Sequence, residues 1–293
     1  MKIKELVIEL FEIALTGGAK RSGAILRIKD EAGKTAQGEI SPLPGWNNET
    51  LQESLEQVKN KKDEILSIDW AKSTFFYHLQ KLDLYPSVLF GLESALLQLY
   101  FPIESIAAQS AALLMGQPED ILKHAKQRKS EGYSHAKLKV SELTFNDAAN
   151  IIHQLKNTFR LRVDVNRAWK TQEAIEFFEQ FPTDTFDYVE EPFQNSDDLS
   201  LFDHPLALDE SYHGLDLDRF ANLPTLKALI YKPTVQGGLL NCLSILSWAR
   251  QFQVDLVLSS SFESTIGLDH IRSMAQRLSL TSPVGIGTQH YMS

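Results

Sequence analysis

The chain has 293 residues, 43% hydrophobic and 23% charged, an ordinary globular composition with room for one large or two modest domains. Its 29 Lys and Arg against 38 Asp and Glu leave a net charge of −9, which argues against nucleic acid or an anionic membrane as partner, since neither gains counterion release from an acidic surface. The single cysteine, Cys242, excludes an internal disulfide and argues against a cysteine zinc site; no run approaches the ~20 apolar residues of a membrane span, and the mixed charges of Met1–Leu6 do not form a secretory signal, so a cytoplasmic protein is expected.

Residues 3–15 fit a helical stripe and a strand equally well. Thr16–Gly23 is small and basic, with the character of a mobile loop, and Lys20 and Arg21 read as solvated charges. Ala24–Lys29 and Thr35–Ile40 flank a Gly33 turn and predict a hairpin. Ser41–Trp46, with two prolines and a glycine, predicts a loop, and Asn48 a helix cap before Leu51, Leu55 and Val58. Helical patterns follow through Phe75–Leu82 and Ser87–Leu99. Strands followed by helices predict an α+β segment over residues 1–104.

From residue 105 onward apolar strands alternate with helices. Ser110–Met115 predicts a buried strand and Pro118–Gly132 a helix. Five short runs come next, at His135–Val140, Leu161–Asn166, Phe186–Pro192, Leu206–Ser211 and Ala228–Pro233, with helical stretches such as Asn146–Phe159 and Thr171–Phe181 between them. Val254–Ser259 is a further strand, and the tail after Ser282 carries little structural signal. Near-continuous apolar strands in a βαβα order predict a parallel sheet covered by helices, and seven or eight such units favour a closed barrel. No strand leads into a Gly-x-Gly-x-x-Gly turn, which weighs against a dinucleotide-binding sheet.

The runs end in Lys139, Asp164, Glu190, Asp209 and Lys232, in steps of 19 to 26 residues, about one βα unit each. A parallel barrel gathers the carboxyl ends of its strands at one mouth, so these charges and Ser259 converge although they are far apart in sequence. Residues two apart on a strand share a face. Lys137 therefore accompanies Lys139, Asp164 goes with Arg162 and Asn166, and only one of Glu190 and Glu191 can face the lumen. Three carboxylates without a supporting histidine pair form an oxygen-only site that suits Mg²⁺ better than Zn²⁺ or Cu²⁺. An ordinary lysine is protonated near neutrality, but a neighbouring ammonium and a bound cation depress it towards the range of a base. The residues thus point to proton abstraction beside a carboxylate, through an enediolate.

Lys137-Leu-Lys139, Asp164-Val-Asn166, Glu190-Glu-Pro192, Asp209-Glu-Ser211 and Lys232-Pro-Thr234 together resemble the signature of the enolase superfamily, in its muconate-lactonizing subgroup, whose sites pair a general base with Mg²⁺. The resemblance implies an α/β fold, an N-terminal α+β capping domain over residues 1–104 followed by a modified TIM barrel, (β/α)7β, over residues 105–293 with a short tail and a short last βα unit. Within the subgroup, Gly38–Trp46 followed by Glu49-Thr50, Phe90–Ala95, Asp164–Trp169 and Ser259–Ser264 are similar to the o-succinylbenzoate synthase family. That family dehydrates 2-succinyl-6-hydroxy-2,4-cyclohexadiene-1-carboxylate in menaquinone biosynthesis.

Carried over by position, the resemblance implies that Asp164, Glu190 and Asp209 bind Mg²⁺, with Mn²⁺ able to substitute. Lys139 takes the α-proton and then assists departure of the hydroxyl, Lys232 stabilises the enediolate from the opposite side, and Lys137 tunes Lys139. Gly237, Gly238 and Ser259 contact the succinyl tail of a small-molecule carboxylate substrate. Arg162 reads as a partner of Glu190 or Asp209 sooner than of the substrate. Two alternatives stand beside this: an N-acylamino acid racemase or dipeptide epimerase using the same two lysines, and a non-catalytic binding barrel, against which the intact set of five charges argues.

Overall fold

The computed structural model describes residues 1–103 and 109–292, and the expected division between residues 104 and 105 falls outside them. The amino-terminal part is an antiparallel meander of β1 (Ile3–Ala14), β2 (Lys20–Asp30) and β3 (Thr35–Ile40), followed by α1 (Leu51–Ser67), α2 (Phe75–Lys81) and α3 (Pro86–Tyr100). Residues 3–14 are therefore strand: β1 pairs with β2 along its length, with Ile3 and Leu6 buried and the rest half-buried or exposed. The cap of α1 is Thr50, not Asn48; its hydroxyl accepts from Glu53 N while Glu53 accepts from Thr50 N, a reciprocal capping box. Helix α3 is buried nearly all round because it lies between the meander and the barrel. The approach to β3 is close enough that a side chain at Gly38 would strike the backbone of Gly91.

The second sheet holds seven parallel strands in sequential order: β4 (Ala112–Leu114), β5 (His135–Lys139), β6 (Arg160–Asp164), β7 (Phe186–Glu190), β8 (Leu206–Leu208), β9 (Leu226–Tyr231) and β10 (Asp255–Leu258). The tail closes it. Val284 bridges Ser110 and Gly285 bridges Ser259, both parallel, with Ala111 N donating to Val284 O (3.0 Å) and Gly285 N to Leu258 O (2.9 Å). A two-residue eighth strand thus completes a (β/α)7β barrel from a segment that carries no periodic signal of its own. α4 (Pro118–Ser130), α5 (Phe145–Leu155) and α6 (Thr171–Phe178) follow the first three strands; α7 (Pro233–Gln236), α8 (Cys242–Gln251) and α9 (Thr265–Arg277) follow the last two. The economy of the barrel lies after β7 and β8, where only 3-10 turns such as Ser196–Leu201 and Leu217–Phe220 stand in for helices; the last unit, ending in α9, is of full length. Among the described residues no helix is long and apolar enough to cross a membrane.

Strand parity sets the lumen. Tyr188, Ala207, Ala228, Ile230 and Val257 form a small buried cluster apart from the main core. Each stands two or four residues before Glu190, Asp209, Lys232 or Ser259 on the same strand face, so the apolar cluster floors the lumen and the polar groups crown it. The main core fills the space between strands and helices. Arg162 lies low in the lumen. It pairs with Asp187 (2.8 Å), donates to Pro283 O (2.6 Å) and Ser282 Oγ (2.9 Å), and stacks on Tyr188. It bonds neither Glu190 nor Asp209 as expected from the sequence, and instead ties the closing tail to the barrel floor.

The seam between cap and barrel carries buried charge. Glu93 on α3 accepts from the Leu239 and Leu240 amides, and burial, outweighing these bonds, pushes its carboxyl up to about 7. A carboxyl raised in the native state adds stability that is full below the unfolded value and is lost as pH rises through the folded one. Between about pH 4.5 and 7 the loss amounts to about 3 kcal/mol. Glu93→Gln keeps an acceptor for both amides and has no charge to bury. Urea denaturation is expected to show the variant gaining on the parent by that amount across the window; parallel pH profiles would contradict the account.

Candidate active site

The carboxyl ends of β5 to β10 bring the five signature charges together. Lys137 Nζ lies between Asp164 Oδ2 (2.9 Å) and Glu190 Oε1 (2.7 Å). Lys139 Nζ reaches Asn166 Oδ1 at 3.2 Å and stands 3.9 Å from Asp164. Lys232 pairs with Asp209 at the end of the neighbouring strand. Asp164, Glu190 and Asp209 are each at most 1% exposed, whereas a third of the Lys139 side chain stays open to the cavity. The two adjacent glutamates part company because Glu191 adopts a left-handed backbone, φ 47°. Glu190 turns to the lysines, and Glu191 accepts from Asp209 N (2.7 Å), Ser211 N (2.9 Å) and the Ser211 hydroxyl, holding the end of β8 that carries Asp209.

Electrostatics sort the lysines. Burial opposes charge on Lys137, yet Asp164, Glu190 and Asp209 together hold it well above the usual lysine range. Lys139 moves the other way: burial lowers it, Asp164 resists, and the Lys137 and Lys232 ammonium groups push it further down. Lys232 is raised, since Asp209 and other carboxylates outweigh its burial. Glu190 is pushed up to about 8 by burial and then by Asp164. Of the three lysines, Lys139 alone is shifted towards its neutral form, and its nearest carboxylate oxygen, at 3.9 Å, is farther away than those of Lys137 and Lys232.

The donor set fits a hard cation. Glu190 Oε2 and Asp209 Oδ1 are buried without a hydrogen-bond partner among the described residues, and Asp164 Oδ2 faces only the ammonium groups of Lys137 (2.9 Å) and Lys139 (3.9 Å). His213 Nε2 stands 3.6 Å from Asp209 Oδ1, but burial lowers its basicity first. As the side chains stand, no three Asp, Glu, His or Cys among the described residues already surround a metal position. Lys137 and Lys232 hold the carboxylates, and a cation there competes with them.

The cavity above the cluster is lined by Lys137, Lys139, Lys232, Ser259, Ser260, Ser261 and Thr288 of the barrel and by Leu43 and Trp46 of the cap. Gly237 and Gly238 do not line it. Gly238 backs onto Glu93 and Leu89 of α3, where a side chain would collide, so these glycines serve the packing of cap on barrel. Arg21 is not solvated: it is 3% exposed and donates to Pro42 O and Ser41 O, while Lys20 is exposed and pairs with Glu12. The Gly17–Gly23 segment is a tight turn and the start of β2, and the preceding Leu15 and Thr16 are tied to the tail through Met292 and Tyr291 O. The sequence did not single out Trp46, Thr288, Ser260 and Ser261 as site residues. The Pro-Gly-Trp loop and the serine run were visible signals for three of them; Thr288 lay in the unread tail.

Residues 120–287 match the family described as "Enolase C-terminal domain-like", more than half of the chain. The chain belongs to the enolase superfamily. Residues 15–99 match "MenC, N-terminal domain", so the superfamily barrel here sits under a cap of that type. An o-succinylbenzoate synthase of Klebsiella pneumoniae (strain 342) is 29% identical over 284 residues, 93% of this chain and 84% of that one. Among solved structures, the L-Ala-D/L-Glu epimerase from Bacillus subtilis superposes with a TM-score of 0.84 at 18% identity, over 100% of this chain and 92% of that one. The o-succinylbenzoate synthase from Thermosynechococcus elongatus BP-1, complexed with Mg in its active site, gives 0.77 at 22%, over 100% and 95%. At such identities the superpositions speak for the superfamily fold alone.

Proposed function

We propose that this protein is an o-succinylbenzoate synthase, a lyase of menaquinone biosynthesis that dehydrates 2-succinyl-6-hydroxy-2,4-cyclohexadiene-1-carboxylate. The observation that carries the substrate is the cap: residues 15–99 match the MenC amino-terminal domain, and relatives aligned over about nine-tenths of the chain bear that name. The fold alone is shared with an epimerase.

Asp164, Glu190 and Asp209 would hold Mg²⁺, or Mn²⁺ in its place, and the cation would neutralise the substrate carboxylate and the charge that develops on it. The chain's own groups do the rest. Lys139, neutral, takes the proton from the carbon bearing the carboxylate. The ammonium so formed returns that proton to the departing hydroxyl on the same face, so the C–H and C–O bonds break, water leaves and the ring becomes aromatic. Lys232, protonated on the opposite wall, faces the accumulating negative charge. Lys137 anchors Asp164 and Glu190, and its charge favours the neutral form of Lys139. Ser259 stands at the far wall, where the second carboxylate of the substrate would lie.

Purified protein with Mg²⁺ is expected to bleach the diene absorbance of the substrate, and to do so faster than it exchanges the α-proton of N-succinyl amino acids in deuterated water. Exchange that outpaces dehydration would make the enzyme a racemase.

A further inference from the structure

Trp46 belongs to the cap, yet its indole lies 3.9 Å from Lys232 Nζ in the barrel. It lines the inner cavity and also two outer depressions, one at Arg167, Glu210 and His213 and one along the Tyr212–Trp248 groove. The ring is thus the partition between the lysines and the surface.

Its loop is built to stay in place. Gly45 takes a left-handed turn, φ 82°, and Leu43 O accepts from Trp46 N (3.0 Å) and Asn47 N (2.9 Å). Asn47 Oδ1 accepts from Leu43 N at 2.8 Å, and its amide donates to Glu49 (2.9 Å) and across the seam to Thr234 O (3.0 Å), two residues beyond Lys232. Arg21, buried beneath, donates to Ser41 O and Pro42 O. One loop is therefore bonded to the cap and to the segment that carries the lysine.

We propose that Trp46 is a positioning residue for Lys232: a fixed aromatic platform from the cap that holds the ammonium over the cavity and seals the cavity from the outer cleft. An aromatic face attracts a cation without accepting its proton or cancelling its charge. Asp209 already pairs with the ammonium from within the barrel, and the indole adds attraction from the cap without placing a second anion beside it. Lys232 thus stays a cation at the point where the dehydration accumulates negative charge. The inference rests on the synthase reading.

Trp46→Phe keeps a π face and Trp46→Leu keeps only bulk. Trp46→Phe is expected to stay within about three-fold of the parent, and Trp46→Leu to lose about ten-fold in kcat with KM and product affinity unchanged, a size typical of a desolvated cation–π contact. Equal kcat for the two variants, or a loss confined to KM, overturns the role, whereas a parent without dehydratase activity overturns the synthase reading instead. The contact has its own readout. The emission difference between parent and Trp46→Phe isolates one of four indoles and is expected to change when Lys232 is replaced by Met; an unchanged difference spectrum overturns the contact whatever the activity.

Discussion

Lys139→Ala is expected to lower kcat by about 10³- to 10⁴-fold, the upper end of what general acid–base catalysis supplies, because one side chain performs both proton transfers. The loss belongs to chemistry and not to folding. Lys139 makes one hydrogen bond, to Asn166, and is the more distant of two lysines on Asp164, which Lys137 serves at 2.9 Å. Melting temperature should move little. Lys139→Arg is expected to be as inactive, since a guanidinium stays protonated throughout the working range. In the parent the rate should rise with pH and level off below the ordinary lysine value, because burial and the Lys137 and Lys232 charges depress Lys139. Turnover of Lys139→Ala within ten-fold of the parent would remove Lys139 from the reaction.

Much of this site was legible in the sequence because a parallel barrel converts a period in sequence into a place in space. Each strand ends at the same mouth, so the step from Lys139 to Lys232 through three acids needs no contact information. The same regularity explains why the parity argument separated Glu190 from Glu191 and put Lys137 beside Lys139. What it could not supply was the partner of a buried charge. Arg162 shares a lumen face with Asp164, and face alone suggested the acids at the mouth; its partners are Asp187 one strand over and the backbone of Pro283, at the floor. Arg21 sits in a polar, glycine-bordered segment whose composition says nothing of the carbonyls folded over it.

The tail and the first strand failed for a related reason. Val284–Gly285 is too short for any alternation, and its strand character exists only between Ser110 and Ser259, both distant in sequence. β1 lies at an open edge and buries only Ile3 and Leu6, with the half-buried Phe11 and Ile13 on the face opposite Leu6, so its pattern is mixed. Gly237 and Gly238 were assigned to the substrate because they follow Lys232 closely, but α7 turns them away from the lumen towards α3, where the absence of a side chain leaves room for Glu93. Residues whose role depends on the seam between cap and barrel, such as Glu39, which accepts from Ser264 and Gly267 at the start of α9, carry no local signature at all.

Chelation of the divalent cation is expected to abolish dehydration while lowering the melting temperature by only about 4–5 °C, the shift that mass action gives a ligand near a hundred times its Kd in a chain of this size. The reason is the composition of the cluster: Lys137 pairs with Asp164 and Glu190, and Lys232 with Asp209, so without a cation the buried acids already have ammonium partners. Lys137→Met removes one of those partners. Asp164 and Glu190, both about 1% exposed, then lose their shared partner, at a cost of about 3–5 kcal/mol in the metal-free state. Glu190, whose carboxyl Lys137 holds down in the parent against burial and Asp164, can take a proton in its place, so the cost should be greatest at high pH and shrink as pH falls. Mg²⁺ restores counter-charge to the same oxygens. Thermal denaturation at high pH is therefore expected to show a larger Mg²⁺-induced rise in melting temperature for Lys137→Met than for the parent. Equal increments would mean that the cation does not bind where Lys137 now holds Asp164 and Glu190 together.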